Sequence, residues 1–364
     1  MNWLPREHVL GERVLLREPQ QRDADAIAAA CNDPLTRRYL PLLPDPYRRD
    51  DALAWIDGAE LHRRQGGASF VIVDPGSDQV LGSIGLNDVS PSGGFGEVGY
   101  WVAPWARHRG VAVDATRALS AWGHAQGLAR LALLTEESNW PSQRVALSSG
   151  YRREGIARSR GVGAGGVRHD LIVWARVTGD PVPAPRLLPD LPGGPDVDGR
   201  PTRPGAHGYL TDGVVTLRPL WESDATAMYE LNSLPEVVAT SVPPVAPAMA
   251  DEVARCGRAY SRWLAGERCE LAVVDAATGG FAGEIGLFYQ EPVTGQAMIG
   301  YGLLPRFRGR GLMTRAVRLL TDWAFATTSI ARVVAGTAPT NLASQQVLRR
   351  AGFAQEAHLR SRLP

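Results

Sequence analysis

Hydrophobic and polar residues alternate along several short stretches in the first half of the chain. The clearest stretches are Ser69 to Val73, Gln79 to Leu86 and Glu97 to Val102, each bounded by glycine, aspartate or proline. Alternation with a period of two is typical of strands that bury one face. Glycine-rich turns separate the stretches, so we predict an antiparallel meander.

The pattern then changes to the helical period of 3.6 residues. Residues 113–126 place Ala115, Leu119 and Trp122 at helical spacing, and the second half of the chain repeats this with Val317, Leu320 and Ala324. A strand and a short helix are predicted to follow in each half, at Ala129 to Leu134 with Ser142 to Ser148 and at Arg332 to Gly336 with Ser344 to Arg350.

Blocks of the first half recur in the second half in the same order. The matching pairs are VLLREP and VTLRPL from Val14 and Val215, LGSIGL and AGEIGL from Leu81 and Ala282, GYWVAPWARHRGVA and GYGLLPRFRGRGLM from Gly99 and Gly300, and SNWPSQRVALSSGY and TNLASQQVLRRAGF from Ser138 and Thr340. The separation stays at about 200 residues throughout, which indicates a tandem duplication. We therefore predict an α/β (α+β) fold with two copies of a mixed, mostly antiparallel sheet flanked by helices.

Length and local composition suggest where the copies divide. A chain of 364 residues is long enough for two or three domains. Residues 179–207 are dense in proline and glycine and lack apolar periodicity, so they are interpreted as an extended, semi-rigid linker. The predicted domains are residues 8–178 and 208–364.

Charge and cysteine content narrow the class of partner. The formal net charge is +1 with 21% charged residues, which favours neither a nucleic-acid nor a membrane partner. Three cysteines fit neither a disulfide framework nor a zinc site. Arg6 and Glu7 interrupt what would be a signal core. We expect a cytoplasmic protein without a bound metal that acts on a small molecule or peptide.

A glycine-rich turn between a predicted strand and a helix carries the main chemical signal. Arg306, Gly309 and Gly311 form R-x-x-G-x-G, and Arg107, Gly110 and Ala112 are interpreted as the same motif in the first copy. Glycine allows the backbone to approach a ligand closely, and the helix start offers unpaired N–H groups to an anion. We predict a pyrophosphate site there, with Arg306, Arg308 and Arg310 adding charge-assisted bonds.

These blocks together resemble the GNAT superfamily of N-acetyltransferases, in particular its ribosomal-protein-alanine (RimJ/RimL-type) branch. The resemblance covers both copies and implies an acetyl-CoA site at the turn, with the fourth and fifth strands splayed beside it. The implied cofactor-binding residues are Val102, Arg107, Arg109, Gly110, Val111, Ala112 and Asn139 in the first copy, and Leu303, Arg306, Arg308, Gly309, Arg310, Gly311 and Asn341 in the second.

Acetyl transfer needs a neutral amine, so a nearby carboxylate is expected to take up its proton. Glu97 matches the strand glutamate that many family members place near the amine, whereas the second copy has Met298 there. The second copy instead has Glu284 where the first has Ser83. Each glutamate is therefore a catalytic candidate, and the alternative is a half-exposed strand residue.

The departing thiolate needs a hydrogen-bond donor, which many relatives supply from a tyrosine. The corresponding positions here are Ala146 and Leu348, so the resemblance to the RimL-like branch points to Ser142 and Ser344 instead. The alternative is that each serine only caps a helix. Asn139 and Asn341 are expected to bond CoA or the strand backbone.

The two copies differ at their ends. The family expects two final strands, which the first copy supplies at Gly155 to Arg160 and Arg168 to Val177, whereas the second copy is predicted to lack the final strand. Its fuller anion turn nevertheless makes the second copy the expected catalyst. The favoured acceptor is a peptide or protein α-amine. Alternatives are an amine-bearing antibiotic or other small molecule, or a CoA-binding regulatory module with one inactive copy.

Overall fold

The computed structural model of the chain describes residues 4–194, 208–241 and 243–359. The chain divides into two compact units, with the first running to Pro185 and the second beginning at Arg186.

The first unit contains an eight-stranded sheet in the order β1-β2-β3-β4-β5-β6-β8-β7. Its elements are β1 Val9–Leu10, β2 Leu15–Arg17, α1 Ala24–Cys31, α2 Pro34–Tyr39, α3 Arg49–Arg64, β3 Ala68–Val73, β4 Val80–Ser90, β5 Phe95–Val102, α4 Val111–Ala125, β6 Arg130–Thr135, α5 Trp140–Ser148, β7 Arg152–Val162 and β8 Arg168–Val177. Only β5 and β6 pair in parallel. Phe70, Leu119 and Trp174 are completely buried at the centre.

The second unit contains a six-stranded sheet in the order β14-β13-β12-β11-β10-β9. Its elements are β9 Leu210–Thr211, β10 Val215–Pro219, α6 Ala225–Asn232, α7 Pro235–Val238, α8 Met249–Leu264, β11 Arg268–Asp275, β12 Phe281–Glu291, β13 Gln296–Leu303, α9 Leu312–Thr327, β14 Arg332–Val334 and α10 Leu342–Arg350. Within the residues described up to 359, no strand follows α10, so counterparts of β7 and β8 are absent from that part of the chain.

The predicted fold is confirmed, since each unit is a mixed, mostly antiparallel sheet flanked by helices.

The structure corrects the predicted starts of two helices, and the N-cap residue explains each difference. Helix α4 begins at Val111, two residues before the prediction, because Gly110 adopts a left-handed conformation with φ 76° and starts the helix immediately after it. Helix α5 begins at Trp140 because the preceding Asn139 is its N-cap.

Residues 181–194, which with residues 179 and 180 form the described part of the predicted extended and semi-rigid linker, contain buried side chains. Ala184 is buried in the first unit, where its N–H donates to the carbonyl of Leu147. Leu188 and Leu191 are buried in the second unit, where Trp263 Nε1 donates to the carbonyl of Pro189 at 3.0 Å. Apolar side chains within the segment therefore anchor it by burial. The remainder of the predicted linker, residues 195–207, lies outside the described residues.

Candidate active site

A fork between two strands is the central feature of each unit. In the first unit β5 and β6 pair only from Phe95 to Glu97, and β5 then continues to Val102 without further pairs to β6. In the second unit β13 and β14 pair only from Gln296 to Met298. The splayed strands that the resemblance implied are therefore present in the first unit, where both strands continue beyond the pairs; in the second unit only β13 continues, because β14 ends at its last paired residue. The open arm leaves backbone N–H and C=O groups along one strand edge for another molecule to pair with.

Glu97 lies at the last paired position of the first fork. Its carboxylate is 3.8 Å from Arg160 Nη2 on β7, and the same guanidinium is 3.5 Å from Asp88. Burial raises the pKa of Glu97, Arg160 opposes this shift and Asp88 adds to it. A carboxylate with a raised pKa is a better proton acceptor than an ordinary one, so this position suits a general base.

The structure corrects the register of the turn motif in the first unit. Arg107 Nε donates to the carbonyl of Val102, the last residue of β5, as Arg308 Nε donates to that of Leu303 at the end of β13. Gly110 and Gly311 are likewise equivalent, as the N-caps of α4 and α9. Arg107 therefore corresponds to Arg308, not to Arg306 as the motif suggested.

By the same register, Ala112 of the first unit corresponds to Met313 of the second, and His108 corresponds to Gly309. His108 has φ 56° and Gly309 has φ 75°, so the first unit has a histidine in the left-handed conformation where the second has glycine. The match of the blocks that begin at Gly99 and Gly300 already contains this register, whereas the shorter R-x-x-G motif also fits with a shift of two residues.

Backbone N–H groups without intrahelical acceptors lie at each helix start, where the sequence predicts an anion site. The first intrahelical bonds are donated by Asp114 N to Gly110 O and by Arg315 N to Gly311 O. The N–H groups of Val111 and Ala112, like those of residues 312–314, precede these bonds and have no intrahelical acceptor. A β-carbon at Gly309 or Gly311 would meet no atom within 4 Å, which shows open space beside the turn.

The turn arginines are occupied by carboxylates of their own unit. Arg306 pairs with Glu230, Arg308 with Glu236 at 2.8 Å and Arg310 with Asp275 at 2.9 Å. In the first unit Arg107 pairs with Asp33 at 2.5 Å. Hydrogen bonds from Ser77 and Gly76, together with the charge of Arg109, hold the pKa of Asp74 below its usual range. These ion pairs connect the turn to other elements of its own unit, and the phosphate contacts expected of the arginines stay a prediction.

Each motif serine is hydrogen-bonded to a strand tyrosine that the sequence analysis missed. Tyr100 Oη lies 2.7 Å from Ser142 Oγ, and Tyr301 Oη lies 2.8 Å from Ser344 Oγ. Burial raises the pKa of both tyrosines, so their hydroxyls stay protonated at neutral pH. The shared Gly-Tyr dipeptide at Gly99 and Gly300 was the available signal.

The motif asparagines, and not the serines, cap these helices. Asn139 Oδ1 accepts from the N–H of Ser142 at 3.2 Å, and Asn341 Oδ1 accepts from that of Ser344 at 3.0 Å. Ser142 and Ser344 are therefore first-turn residues and not N-caps, and their hydroxyls bond tyrosines. The side-chain oxygens expected to contact CoA or a strand are used locally as caps.

Glu284 lies in a charged cluster of the second unit and not at its fork. Its carboxylate is 2.5 Å from Arg255 Nη2, which also lies 3.1 Å from Glu270. Burial raises the pKa of Glu284 and Arg255 opposes this shift. Glu97 and Glu284 are thus in different places, and the fork of the second unit has Met298 at the position of Glu97.

The described ranges contain no group of three or more His, Cys, Asp or Glu side chains placed to hold a metal ion. Over the same residues, no helix has the length and apolar character required to cross a bilayer.

The chain is similar to known proteins in both sequence and structure. The acetyltransferase (GNAT) domain family matches the chain twice, at residues 13–152 and 215–354. The uncharacterized N-acetyltransferases p20 of Bacillus licheniformis and YoaA of Bacillus subtilis are 26% and 28% identical over 155 and 150 residues, covering 42% and 40% of this chain and 86% and 84% of their own. The structure of Mycobacterium smegmatis RimJ in complex with CoA-disulfide matches with 22% identity and a TM-score of 0.44, covering 48% of this chain and 88% of that one.

The strand fork followed by a capped helix start is thus the framework of an acyl-transferring enzyme domain, present here twice. The chain belongs to the GNAT family of acetyltransferases and is an N-acetyltransferase with two tandem domains.

Proposed function

We propose that the first unit transfers acetyl from acetyl-CoA to a primary amine, with the α-amine of a peptide or protein as the favoured acceptor. The observation that carries this proposal is the position of Glu97 at the last paired residue of the fork, where its half-buried carboxylate lies 3.8 Å from Arg160 and has a raised pKa. This assignment reverses the preference for the second copy that its glycines suggested.

The residues present fit acetyl-CoA at both ends of the fork. Amides of Val111 and Ala112 would hold the pyrophosphate at the start of α4, and the open edge of β5 up to Val102 would pair with the amide-bearing arm. When bound, acetyl-CoA supplies an activated acetyl thioester. The second unit would use residues 312–314 and the edge of β13 up to Leu303 in the same way.

Two groups of the first unit handle the protons. Glu97 accepts the proton of the acceptor ammonium, which leaves a nucleophilic amine. Ser142, hydrogen-bonded to the hydroxyl of Tyr100, donates a hydrogen bond on the thiolate side. The serine alone is a poor acid, but the tyrosine orients its hydroxyl.

The second unit supports a different role, which is binding of CoA without acetyl transfer. It retains the fork, the open glycine turn and the pair of Tyr301 with Ser344. However, Met298 replaces the carboxylate at the branch point, and Glu284 is held by Arg255. We propose that this unit is a CoA-binding module with a regulatory role.

A pair of matched variants tests both assignments. Gly110→Glu and Gly311→Glu each place a carboxylate at a helix N-cap, where CoA phosphate is expected. Calorimetry should show two CoA sites in the parent chain and one in each variant. Thiol release with a library of N-terminal peptides and small amines should be lost only in Gly110→Glu. Loss of turnover only in Gly311→Glu would reverse the assignment, and turnover of antibiotic amines alone would reject a peptide acceptor.

We also propose a cytoplasmic location, supported by Cys31, Cys256 and Cys269, which are buried free thiols.

A further inference from the structure

A cavity of about 380 Å³ in the first unit lies between α2 and the hairpin of β7 and β8. It is within the size range of small-ligand pockets. Its lining combines an apolar side with charged residues: Leu40, Pro41 and Leu43 with Arg37, Arg38, Glu136 and His169, and with Gly163. Glu136 directly follows β6, so the cavity borders the β6 arm of the fork.

Glu136 and His169 form an internal pair at one end of this cavity. His169 Nε2 lies 3.3 Å from Glu136 Oε1, and Ser138 Oγ donates to the same carboxylate at 3.3 Å. Gly161 makes room for the imidazole, since a β-carbon there would lie 2.3 Å from His169 Nε2. The only carboxylate that lines the cavity is therefore already engaged by two neighbours.

The arginines at the other end are engaged unequally. Arg37 pairs with Asp45 at 2.8 Å and donates to the carbonyl of Pro44 at 3.1 Å. Arg38 is exposed and lies 5.5 Å from the ring centre of Tyr39, and none of the described carboxylates forms an ion pair with it. The cavity thus presents one cation whose charge is not neutralised.

These charges are not a requirement of the fold. Asp33 with Pro34 and Leu234 with Pro235 start the equivalent helices α2 and α7. Counting from these prolines, Val238 and Ala239 of the second unit stand at the positions of Arg37 and Arg38. The charged cavity therefore occurs in the unit that has Glu97 at its fork, and the unit without that carboxylate has apolar residues.

We propose that this cavity holds the part of the acceptor next to its amine and selects an anionic group there, with Arg38 as its partner. This inference rests on the proposed function of the first unit. The chemistry required is an amine with a nearby carboxylate, from either an acidic residue behind a peptide N-terminus or a free amino acid. Glu97 receives the amine and Arg38 the carboxylate, so the two ends of the acceptor meet opposite charges.

The test uses the full chain and three peptides that differ only in their second residue: Ala-Glu, Ala-Ala and Ala-Lys. We expect KM to rise in that order, with about a five-fold span because the ion pair is partly exposed. Arg38→Glu should reverse the order with kcat little changed. Arg258→Glu is the matched control, since it makes the same charge change at an exposed arginine of α8 in the second unit. Free glutamate replaces the peptides in a parallel arm.

The outcomes separate this inference from the proposed function. Equal KM for the three peptides, or an unchanged order in Arg38→Glu, overturns the pocket assignment while acetyl transfer stands. Turnover of free glutamate that depends on Arg38 supports a small-molecule acceptor. If no amine is acetylated the proposed function fails, and calorimetry of the three peptides with the parent and Arg38→Glu chains still decides the pocket. Binding that prefers Ala-Glu only with Arg38 present supports the pocket, and binding without this preference rejects it.

Discussion

Removal of the Ser142 hydroxyl should affect both catalysis and stability, by amounts that the structure allows us to work out. Tyr100 is half-buried and its hydroxyl is 2.7 Å from Ser142 Oγ. Ser142→Ala removes this partner from the tyrosine hydroxyl, which costs about 1 kcal/mol of unfolding free energy. Tyr100→Phe should cost about the same, because Ser142 is half-buried as well.

The kinetic effect has a separate origin. A hydrogen bond to a charged group contributes about 1.5–3 kcal/mol, compared with about 1 kcal/mol for a neutral one. The bond from Ser142 therefore strengthens by about 1 kcal/mol or more as negative charge develops on sulfur. This predicts a fall in kcat of about ten-fold in Ser142→Ala, with KM for acetyl-CoA unchanged.

The second unit provides the matched control. Ser344→Ala removes the partner of Tyr301 at 2.8 Å, so it should also destabilise its unit. It should leave kcat unchanged if the first unit performs the chemistry. The assay is thiol release at a temperature where every variant is folded, with melting temperatures measured on the same preparations. A Ser142→Ala chain that melts early and turns over normally would refute the catalytic reasoning, and a kcat loss only in Ser344→Ala would assign catalysis to the second unit.

Three further predictions concern the turn, the base and the charged cluster. Gly110→Ala and Gly311→Ala place a β-carbon at φ 76°, so calorimetric unfolding should show a loss of about 1–2 kcal/mol for each; unchanged stability would contradict the left-handed caps. Burial raises the pKa of Glu97, so its ionised form opposes folding once pH rises through the raised pKa; Glu97→Gln should therefore raise the melting temperature at pH 7, with a smaller gain near pH 4, and lower kcat. A lower melting temperature of Glu97→Gln at pH 7 would contradict the raised pKa of Glu97. Arg255→Met removes the cation beside Glu284 and Glu270, so unfolding in denaturant should show a loss of about 3 kcal/mol at pH 7. The loss should shrink at lower pH because the raised pKa of Glu284 favours its protonation, and a pH-independent loss would argue against an electrostatic cause.

The sequence by itself determined the duplication, the order of the elements from the strand meander onward and the position of the glycine turn before the next helix. These features follow from local rules: apolar periods of 2 and 3.6 residues, glycine at a left-handed helix cap, and recurrence of whole blocks at a constant separation. The meander and the helices after it were therefore predicted to within a few residues at most of their ends.

Tertiary structure alone decided which side chains meet. Tyr100 and Ser142 are 42 residues apart, and Arg255 and Glu284 are 29 apart, so strand register and helix packing bring each pair together. The fold also decided that Arg107 and Arg308 bond the carbonyl at the end of the preceding strand, a contact that the sequence does not show. Local periodicity assigns a residue to a strand or helix, but the distance between residues on different elements depends on register and splay, which no local pattern contains.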